Sequence, residues 1–91
     1  MKILKQKGEV KKFEVGRTYM FEQESDDDFV YLGLRPKKWY DIYKVEKRTD
    51  KSIKFTDCGR AVKFRKFGDG EVCKVQENTI FTCFAMEVEF E

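Results

Sequence analysis

The sequence predicts a mostly β fold built from about six to eight short antiparallel strands. Apolar and charged residues alternate along several segments, and glycine, asparagine and aspartate separate those segments at short intervals. No segment keeps a 3.6-residue apolar period over three turns, so no amphipathic helix is expected. Nine Phe, four Tyr and one Trp among 91 residues supply the large side chains that the core of one small domain needs.

The first third of the chain is the less regular part of this pattern. Residues 1–12 are lysine-rich and are predicted to be a frayed terminus or an edge strand, whereas residues 13–91 are predicted to form one β-rich domain. Within this third we expect a strand at 13–15, a turn at 16–17, a strand at 18–21, an acidic loop at 22–28, a strand at 29–32 and a connection at 33–38.

The alternation is clearest from Trp39 onward. One parity of this segment is mainly apolar and contains Trp39, Tyr43 and Val45, whereas the other contains Ile42, Lys44, Glu46 and Arg48. Further strands are expected at 53–55, 62–65, 71–75, 79–85 and 86–91, with turns at 49–52, 57–60, 67–70 and 76–78. This succession of strands and tight turns favours a small barrel or sandwich, with an SH3-like or OB-like barrel as the first expectation.

Three details of these later elements are also predicted. Gly59 is expected to take a positive φ in its turn, because glycine has no Cβ to clash there. The dipeptide Asp69-Gly70 is a strong signal for a β-hairpin. The last strand alternates apolar and acidic residues without exception, which predicts one wet acidic face.

Charge is unevenly distributed along the chain, although the net charge is only +2. Residues 35–66 contain twelve basic and four acidic residues, whereas residues 67–91 contain one basic and six acidic residues. If the apolar parity of the middle strands faces the core, one sheet face presents mostly cations, and Trp39 and Tyr40 lie at its rim. The sequence therefore predicts a nucleic-acid-binding face formed by Lys44, Arg48, Lys54, Lys63 and Arg65 with those two aromatics.

Blander interpretations of the charged segments are also open. The basic face is also explained as a solvated surface that protects the sheet against aggregation, with Glu46 and the acidic last strand neutralising its cations and with Trp39 and Tyr40 as core or rim aromatics. A protein with an acidic surface is an alternative partner. The acidic loop is expected to be solvated or to contact a basic partner, and it lacks the spacing of an EF-hand, so no metal site is predicted. Its carboxylates are Glu22, Glu24, Asp26, Asp27 and Asp28.

Catalysis is not expected from this chain, and no cofactor is predicted. The sequence contains no His, no nucleophile motif, no phosphate-binding loop and no dinucleotide fingerprint. Its three cysteines have no C-x-x-C spacing and are expected to be reduced thiols, buried or half-buried. No signal peptide and no membrane-spanning apolar run is found, so a soluble cytoplasmic protein is expected.

Two phrases of the sequence resemble a group of short mobile-element proteins. FEVGRTY at 13–19 matches an F-x-V-G-x-x-Y phrase, and YKVEKRTDKSIKF at 43–55 resembles Y-x-V-x-x-R-T-x-K-x-V-x-F, with Ile53 where that phrase has Val. Both phrases are typical of short uncharacterised β-rich proteins of Gram-positive phages, plasmids and integrative elements. The resemblance covers about half of the chain, and the acidic loop and the C-terminal tail depart from it. It implies a setting in which such a protein modifies a host or nucleic-acid-bound complex, for example by inhibiting a host nuclease.

Three functional hypotheses follow, none of them enzymatic. The first is a small binding module that contacts nucleic acid through the basic sheet face. The second is a protein-interaction or inhibitor module from a mobile element that acts on a host protein. The third is a homo-oligomeric structural protein that associates through an exposed sheet edge.

Overall fold

Eight strands form one antiparallel sheet in a computed structural model, which describes residues 1–24, 38–75 and 78–90. The strands are β1 (Lys2–Lys5), β2 (Thr18–Glu24), β3 (Lys38–Arg48), β4 (Ser52–Phe55), β5 (Val62–Phe67), β6 (Gly70–Val75), β7 (Asn78–Phe81) and β8 (Ala85–Glu89). A short 3-10 turn, Thr82–Phe84, joins β7 to β8. The prediction of a mostly β, antiparallel fold with the form of a small barrel or sandwich is confirmed.

The sheet is rolled around one core, although its strand order is open. The order across the sheet is β1-β8-β2-β3-β4-β5-β6-β7, so β8 returns from the far end of the chain to lie between β1 and β2. Tyr19 and Ala85, from one half of the sheet, share a single buried cluster with Val75 and Ile80 from the other half. Apolar burial of this kind is the main favourable contribution to folding. The two halves therefore curve toward each other and enclose the core.

The residues just before β2 fill this core without forming a strand, so the predicted strand at 13–15 is wrong. Phe13 is fully buried, and its ring meets those of Tyr19 and Phe55 edge to face, with centroids 5.2 and 5.8 Å apart. Val10 is buried in the same cluster, and β1 lies at the edge of the sheet. The chain between β1 and β2 (residues 6–17), named the plug, therefore contributes apolar side chains to the core.

A buried ion pair holds the backbone of this plug. The Phe13 amide donates to Glu71 Oε1 over 2.9 Å, and Arg48 Nη1 donates to the Phe13 carbonyl oxygen over 2.6 Å. Arg48 also makes two hydrogen bonds to the Glu71 carboxylate, one of them 2.7 Å long, and its guanidinium lies 4.2 Å from the centroid of the Phe64 ring. Both backbone groups of Phe13 are thus satisfied although no neighbouring strand pairs with them.

Tyr19 provides a second anchor for the same segment. Its hydroxyl accepts a hydrogen bond from the Glu14 amide (2.7 Å) and donates one to the Lys12 carbonyl (3.1 Å). Burial of the ring raises the pKa of Tyr19 to about 12, although the hydrogen bond from Glu14 opposes that shift. The hydroxyl therefore keeps its proton at physiological pH and can serve as the donor to Lys12.

Arg48 was expected on the outer face of the sheet, and a β-bulge overturns that prediction. Cross-strand partners of β3 and β4 run from Val45 opposite Phe55 to Arg48 opposite Ile53, with a register shift between Val45 and Lys47. The extra residue reverses the alternation of faces along β3. Arg48 consequently points to the same side as the buried Ile53, where it reaches Glu71.

One turn differs from expectation in the residue that takes a positive φ, and the predicted β5–β6 hairpin is confirmed with a loop one residue earlier than the Asp69-Gly70 dipeptide. Asp57 (φ 68°) does so in the turn after β4, whereas Gly59 does not. The β5–β6 hairpin loop consists of Gly68 and Asp69, because Gly70 already pairs within β6. Gly68 has φ 61° at the first loop position, which is where a type II′ turn places glycine.

The segment predicted as one strand at 79–85 is interrupted by the 3-10 turn. Thr82 is buried, and its hydroxyl accepts a hydrogen bond from the Glu71 amide (2.8 Å) and donates to the Glu71 carbonyl (3.2 Å). A Cβ at Gly70 would lie 2.3 Å from Thr82 Oγ1, so only glycine permits this approach. The turn is therefore fixed to the start of β6.

Glu87 of β8 faces the interior, which contradicts the predicted wet acidic face at that position, whereas Glu89 at the end of the strand is exposed. Glu87 lies opposite Tyr19 in the β2–β8 pairing and is only 4% exposed. On the opposite side of β8, Met86 and Val88 form a separate buried cluster with Met20. Both sides of β8 carry buried residues, since Ala85 belongs to the main core on one side and Met86 and Val88 pack with Met20 of β2 on the other.

Strand β2 is longer than expected, since it extends to Glu24 and takes in the first residues of the predicted acidic loop. The remainder of that loop, the strand expected at 29–32 and most of the connection at 33–38 lie outside the described residues. The same holds for residues 76–77 of the predicted β6–β7 turn.

We expect Gly70→Ala to lower the free energy of unfolding by about 1–3 kcal/mol, because the new methyl group meets the Thr82 hydroxyl. Thr82→Ala alone should cost a similar amount through the lost hydrogen bonds to Glu71. Urea unfolding should show the double variant to be less destabilised than the sum of the two single variants, because Thr82→Ala removes the hydroxyl that the new methyl group would meet. Strict additivity would contradict this explanation.

We expect Glu71→Gln to lower the free energy of unfolding at neutral pH by about 3 kcal/mol, since it leaves Arg48 as a buried charge without its counterion. Burial by itself raises the pKa of Glu71, but the hydrogen bonds from Arg48 and the Phe13 amide outweigh it and lower the pKa. The ionised Glu71 carboxylate therefore stabilises the folded state fully when the pH is above 4.5, the pKa of Glu71 in the unfolded chain. This stabilisation is lost as the pH falls through the lower pKa that Glu71 has in the folded protein.

Urea unfolding from neutral pH down to about pH 3 checks this linkage. The difference between wild type and Glu71→Gln should shrink in the acid range. The control is Glu89→Gln, because Glu89 is an exposed carboxylate at the end of β8. A constant difference across the pH range would show that the charge of Glu71 is not the stabilising element.

Candidate nucleic-acid interface

Four cationic residues line one concave groove on the outer side of the sheet. This feature, the basic groove, consists of Lys51, Lys63, Arg65 and Lys74 and has a volume of about 620 Å³. The residues come from the β3–β4 turn, from β5 and from β6, and Thr79 of β7 completes one wall. A surface of this kind attracts phosphate groups.

The alternation of β5 and β6 accounts for the direction of these side chains. Val62 and Phe64 of β5 pack against the core. Lys63 and Arg65 alternate with them along the strand, so they point outward and are exposed. On β6, Cys73 belongs to the core cluster, and the next residue in the chain, Lys74, is exposed.

The turn that carries Lys51 is held by local hydrogen bonds. Thr49 Oγ1 accepts hydrogen bonds from the amides of Lys51 (3.2 Å) and Ser52 (3.0 Å), and the Thr49 amide donates to the Ser52 carbonyl (2.9 Å). Threonine commonly fixes tight turns through such side-chain acceptors. Lys51 is therefore presented at the rim of the groove by a constrained backbone.

The charge of the groove is not neutralised locally. Within the part of the chain that the structure describes, no carboxylate lies within 4 Å of any of its four cations, and Asp50 is the one acidic residue among those that line it. Other lysines of the protein are paired: Lys11 with Asp69 at 2.8 Å, and Lys54 with Glu46 at 3.6 Å. The groove thus has an excess of positive charge that is open to an external anion.

The five cations that the sequence singled out are divided by the fold. Lys63 and Arg65 lie together in the basic groove. Lys44 is exposed on β3 but does not line the groove, and Lys54 is half-buried beside Glu46. Arg48 points inward to Glu71, which corrects its assignment to the outer face.

The two aromatic residues of the predicted rim are not brought to the groove. Tyr40 is exposed and lines a different cleft of about 650 Å³, whose apolar residues are Met1, Ile3, Met20 and Met86 and whose polar residues are Gln6, Lys7 and Glu22. This apolar cleft lies on the other half of the sheet, formed by β1, β8, β2 and the start of β3. The backbone of Trp39 belongs to β3, and the position of its side chain lies outside the described residues.

The predicted acidic partner-contact site is only partly within the described structure. Glu22 lies in β2 and forms an ion pair with Lys7 at 2.6 Å, and Glu24 is the last residue of the same strand. The remaining members, 26–28, lie outside the described residues. In the ranges that are described, no group of three or more His, Cys, Asp or Glu side chains is placed to hold a metal ion.

Sequence reasoning missed two of the four groove cations. Lys51 was assigned to a polar turn, although the β3–β4 hairpin brings that turn beside β5, where Ser52 pairs with Lys63. Lys74 is the one basic residue among residues 67–91, and that isolation could have drawn attention to it. Cys73 also lines the groove, but burial raises the pKa of its thiol to about 12, so it remains protonated and is a poor nucleophile.

Comparisons of the chain with protein-family models, with curated proteins and with solved structures find no match. Among the described residues, no helix is long and apolar enough to cross a membrane.

Proposed function

We propose that this protein is a small binding module that contacts the phosphate backbone of nucleic acid through the basic groove. The observation that supports this proposal is a set of four cations on one concave surface, none of which is paired with a carboxylate of the described residues. Each contact between a cation and a phosphate releases condensed counterions, and that release drives binding at low salt. The resemblance to mobile-element proteins adds a setting in which contact with nucleic acid is expected.

Binding through this groove is expected to be largely independent of sequence. Three of the four cations are lysines, which bind phosphates as flexible point charges and do not read base edges with fixed geometry. Arg65 is the one member whose planar guanidinium can form two parallel hydrogen bonds to a phosphate. We therefore expect affinity to respond to salt more strongly than to base sequence.

We expect the wild type to bind a labelled oligonucleotide with a salt slope of about −3, the value for four contacts to a single strand. Fluorescence anisotropy between about 50 and 200 mM salt would then show roughly a 50-fold loss of affinity. Reversing Lys63 and Arg65 to Glu should reduce the slope by about 1.4 and weaken binding at least about tenfold at the lower salt, because two phosphate contacts are removed.

The matched control is Lys44→Glu with Lys47→Glu, which makes the same change in net charge at two exposed positions outside the groove. Thermal unfolding should show that both double variants are folded. An equal loss of affinity in the two variants would show that only overall charge matters. Absence of wild-type binding at the lower salt would make the groove a solubility feature.

A second candidate function is supported by the apolar cleft. Its lining combines the apolar side chains of Met1 and Ile3 with Tyr40, and both Met1 and Ile3 are exposed. Lys2 and Lys5 flank Ile3 on the edge strand β1, where lysines oppose pairing with a second copy of the same edge. This surface therefore fits a host protein that presents apolar and acidic side chains better than it fits a homo-oligomer.

We expect light scattering after size exclusion to show a monomer, and an affinity-tagged wild type to retain one stoichiometric protein from a Gram-positive host extract. Ile3→Glu should abolish that retention, because it places a carboxylate in the apolar cleft. The variant with Lys63 and Arg65 reversed should retain the same protein, since those residues lie outside the cleft. A dimer that Ile3→Glu dissociates would instead show that a second copy occupies this surface.

A further inference from the structure

Three phenylalanines form a surface row, with two exposed rings on either side of a half-buried one, that neither the fold nor the basic groove explains. This aromatic platform consists of Phe67, Phe81 and Phe84. The Phe67 and Phe81 centroids are 5.0 Å apart, those of Phe81 and Phe84 are 5.6 Å apart, and both pairs meet edge to face. Phe67 is 55% exposed and Phe84 60% exposed, although burying a phenyl ring is strongly favourable.

The aromatic platform continues the basic groove along the same strands. On β5, Lys63, Arg65 and Phe67 have the same parity, so all three project from the outer face. On β7, Phe81 follows the groove residue Thr79 by two positions, and the cross-strand pairing places Val72 of β6 between Arg65 and Phe81. Two residues of a strand span about 7 Å, so rings and cations are neighbours on one surface.

The fold holds this platform in a fixed arrangement. Phe84 ends the 3-10 turn whose Thr82 hydroxyl is bonded to both backbone groups of Glu71. The turn is also linked to the N-terminal segment, because the Gly8 amide donates to the Cys83 carbonyl over 3.0 Å. Binding by rings that are already positioned loses less conformational freedom than binding by mobile side chains.

We propose that the aromatic platform stacks unpaired bases of a single-stranded nucleic acid whose phosphates lie in the basic groove. This inference rests on the proposed function and names its substrate class. In a duplex the bases are stacked on one another and paired, so a phenyl ring on an outer sheet face has no base surface to meet. In a single strand each base presents a face, and stacking on aromatic side chains tolerates any sequence.

The cations beside the rings favour this occupant over an apolar protein segment. A purely apolar partner would have to desolvate Arg65 and Lys63 without offering them counterions, which is unfavourable. A single strand satisfies both parts of the surface, since its phosphates and its bases alternate along one chain. Arg65 and Phe67 are two residues apart on β5, so a cation for a phosphate and a ring for a base lie side by side on one strand.

Three fluorescent probes test the inference by anisotropy: a single-stranded oligothymidine, an abasic strand of the same length and charge, and a duplex of the same length. We expect the wild type to bind oligothymidine at least about tenfold more tightly than the abasic strand, and more tightly than the duplex. Phe67→Ala with Phe84→Ala should remove that preference and leave the affinity for the abasic strand unchanged. Phe67→Tyr with Phe84→Tyr should retain it, because the aromatic faces remain.

The control is Phe90→Ala, because Phe90 is 51% exposed but follows β8 and does not belong to the platform. Equal wild-type binding of oligothymidine and the abasic strand would overturn base stacking and leave the groove proposal standing. Absence of binding to all three probes would overturn the groove proposal itself. Two results for the double alanine variant would also overturn the inference. One is an equal loss of affinity for all three probes, and the other is binding of oligothymidine as tightly as the wild type binds it.

Discussion

The ion pair between Arg48 and Glu71 is the interaction on which the arrangement of this small protein depends. It connects β3 to β6 and binds both backbone groups of Phe13, whose ring lies at the centre of the core. A buried segment that is not a strand would otherwise leave its amide and carbonyl without partners, at a considerable free-energy cost. With those groups satisfied, the plug can fill the core between the two halves of a sheet whose edge strands do not pair with each other.

The same pair determines which cations remain available at the surface. The bulge in β3 turns Arg48 inward, and the alternation of β5 turns Lys63 and Arg65 outward over the well-packed Phe64. The positive charge of the middle of the chain is thereby divided between an internal structural role and the basic groove. Its four cations form no ion pair with a carboxylate of the described residues, and Glu71, the acidic residue of β6, is bound to Arg48.

The outer face of the sheet has two halves with different chemistry. Around β5, β6 and β7, cations adjoin an ordered row of phenyl rings, a combination suited to a charged polymer with aromatic bases. Around β1, β8, β2 and the start of β3, the surface is an apolar cleft edged by lysines, which suits a protein contact. The two surfaces are separate, because the groove and the cleft have no lining residue in common.

The sequence by itself determined the β class, most strand positions from Trp39 onward, and the outward direction of Lys63 and Arg65, because strict alternation over a pleated strand leaves each side chain only one face. Only the tertiary structure decided the rest. The register of β3 against β4 turned Arg48 inward, the insertion of β8 between two strands buried Glu87, and Phe13 became a plug held by side chains from distant strands. These outcomes depend on pairings between residues far apart in the chain, and a local pattern contains no information about which distant strand a segment will meet.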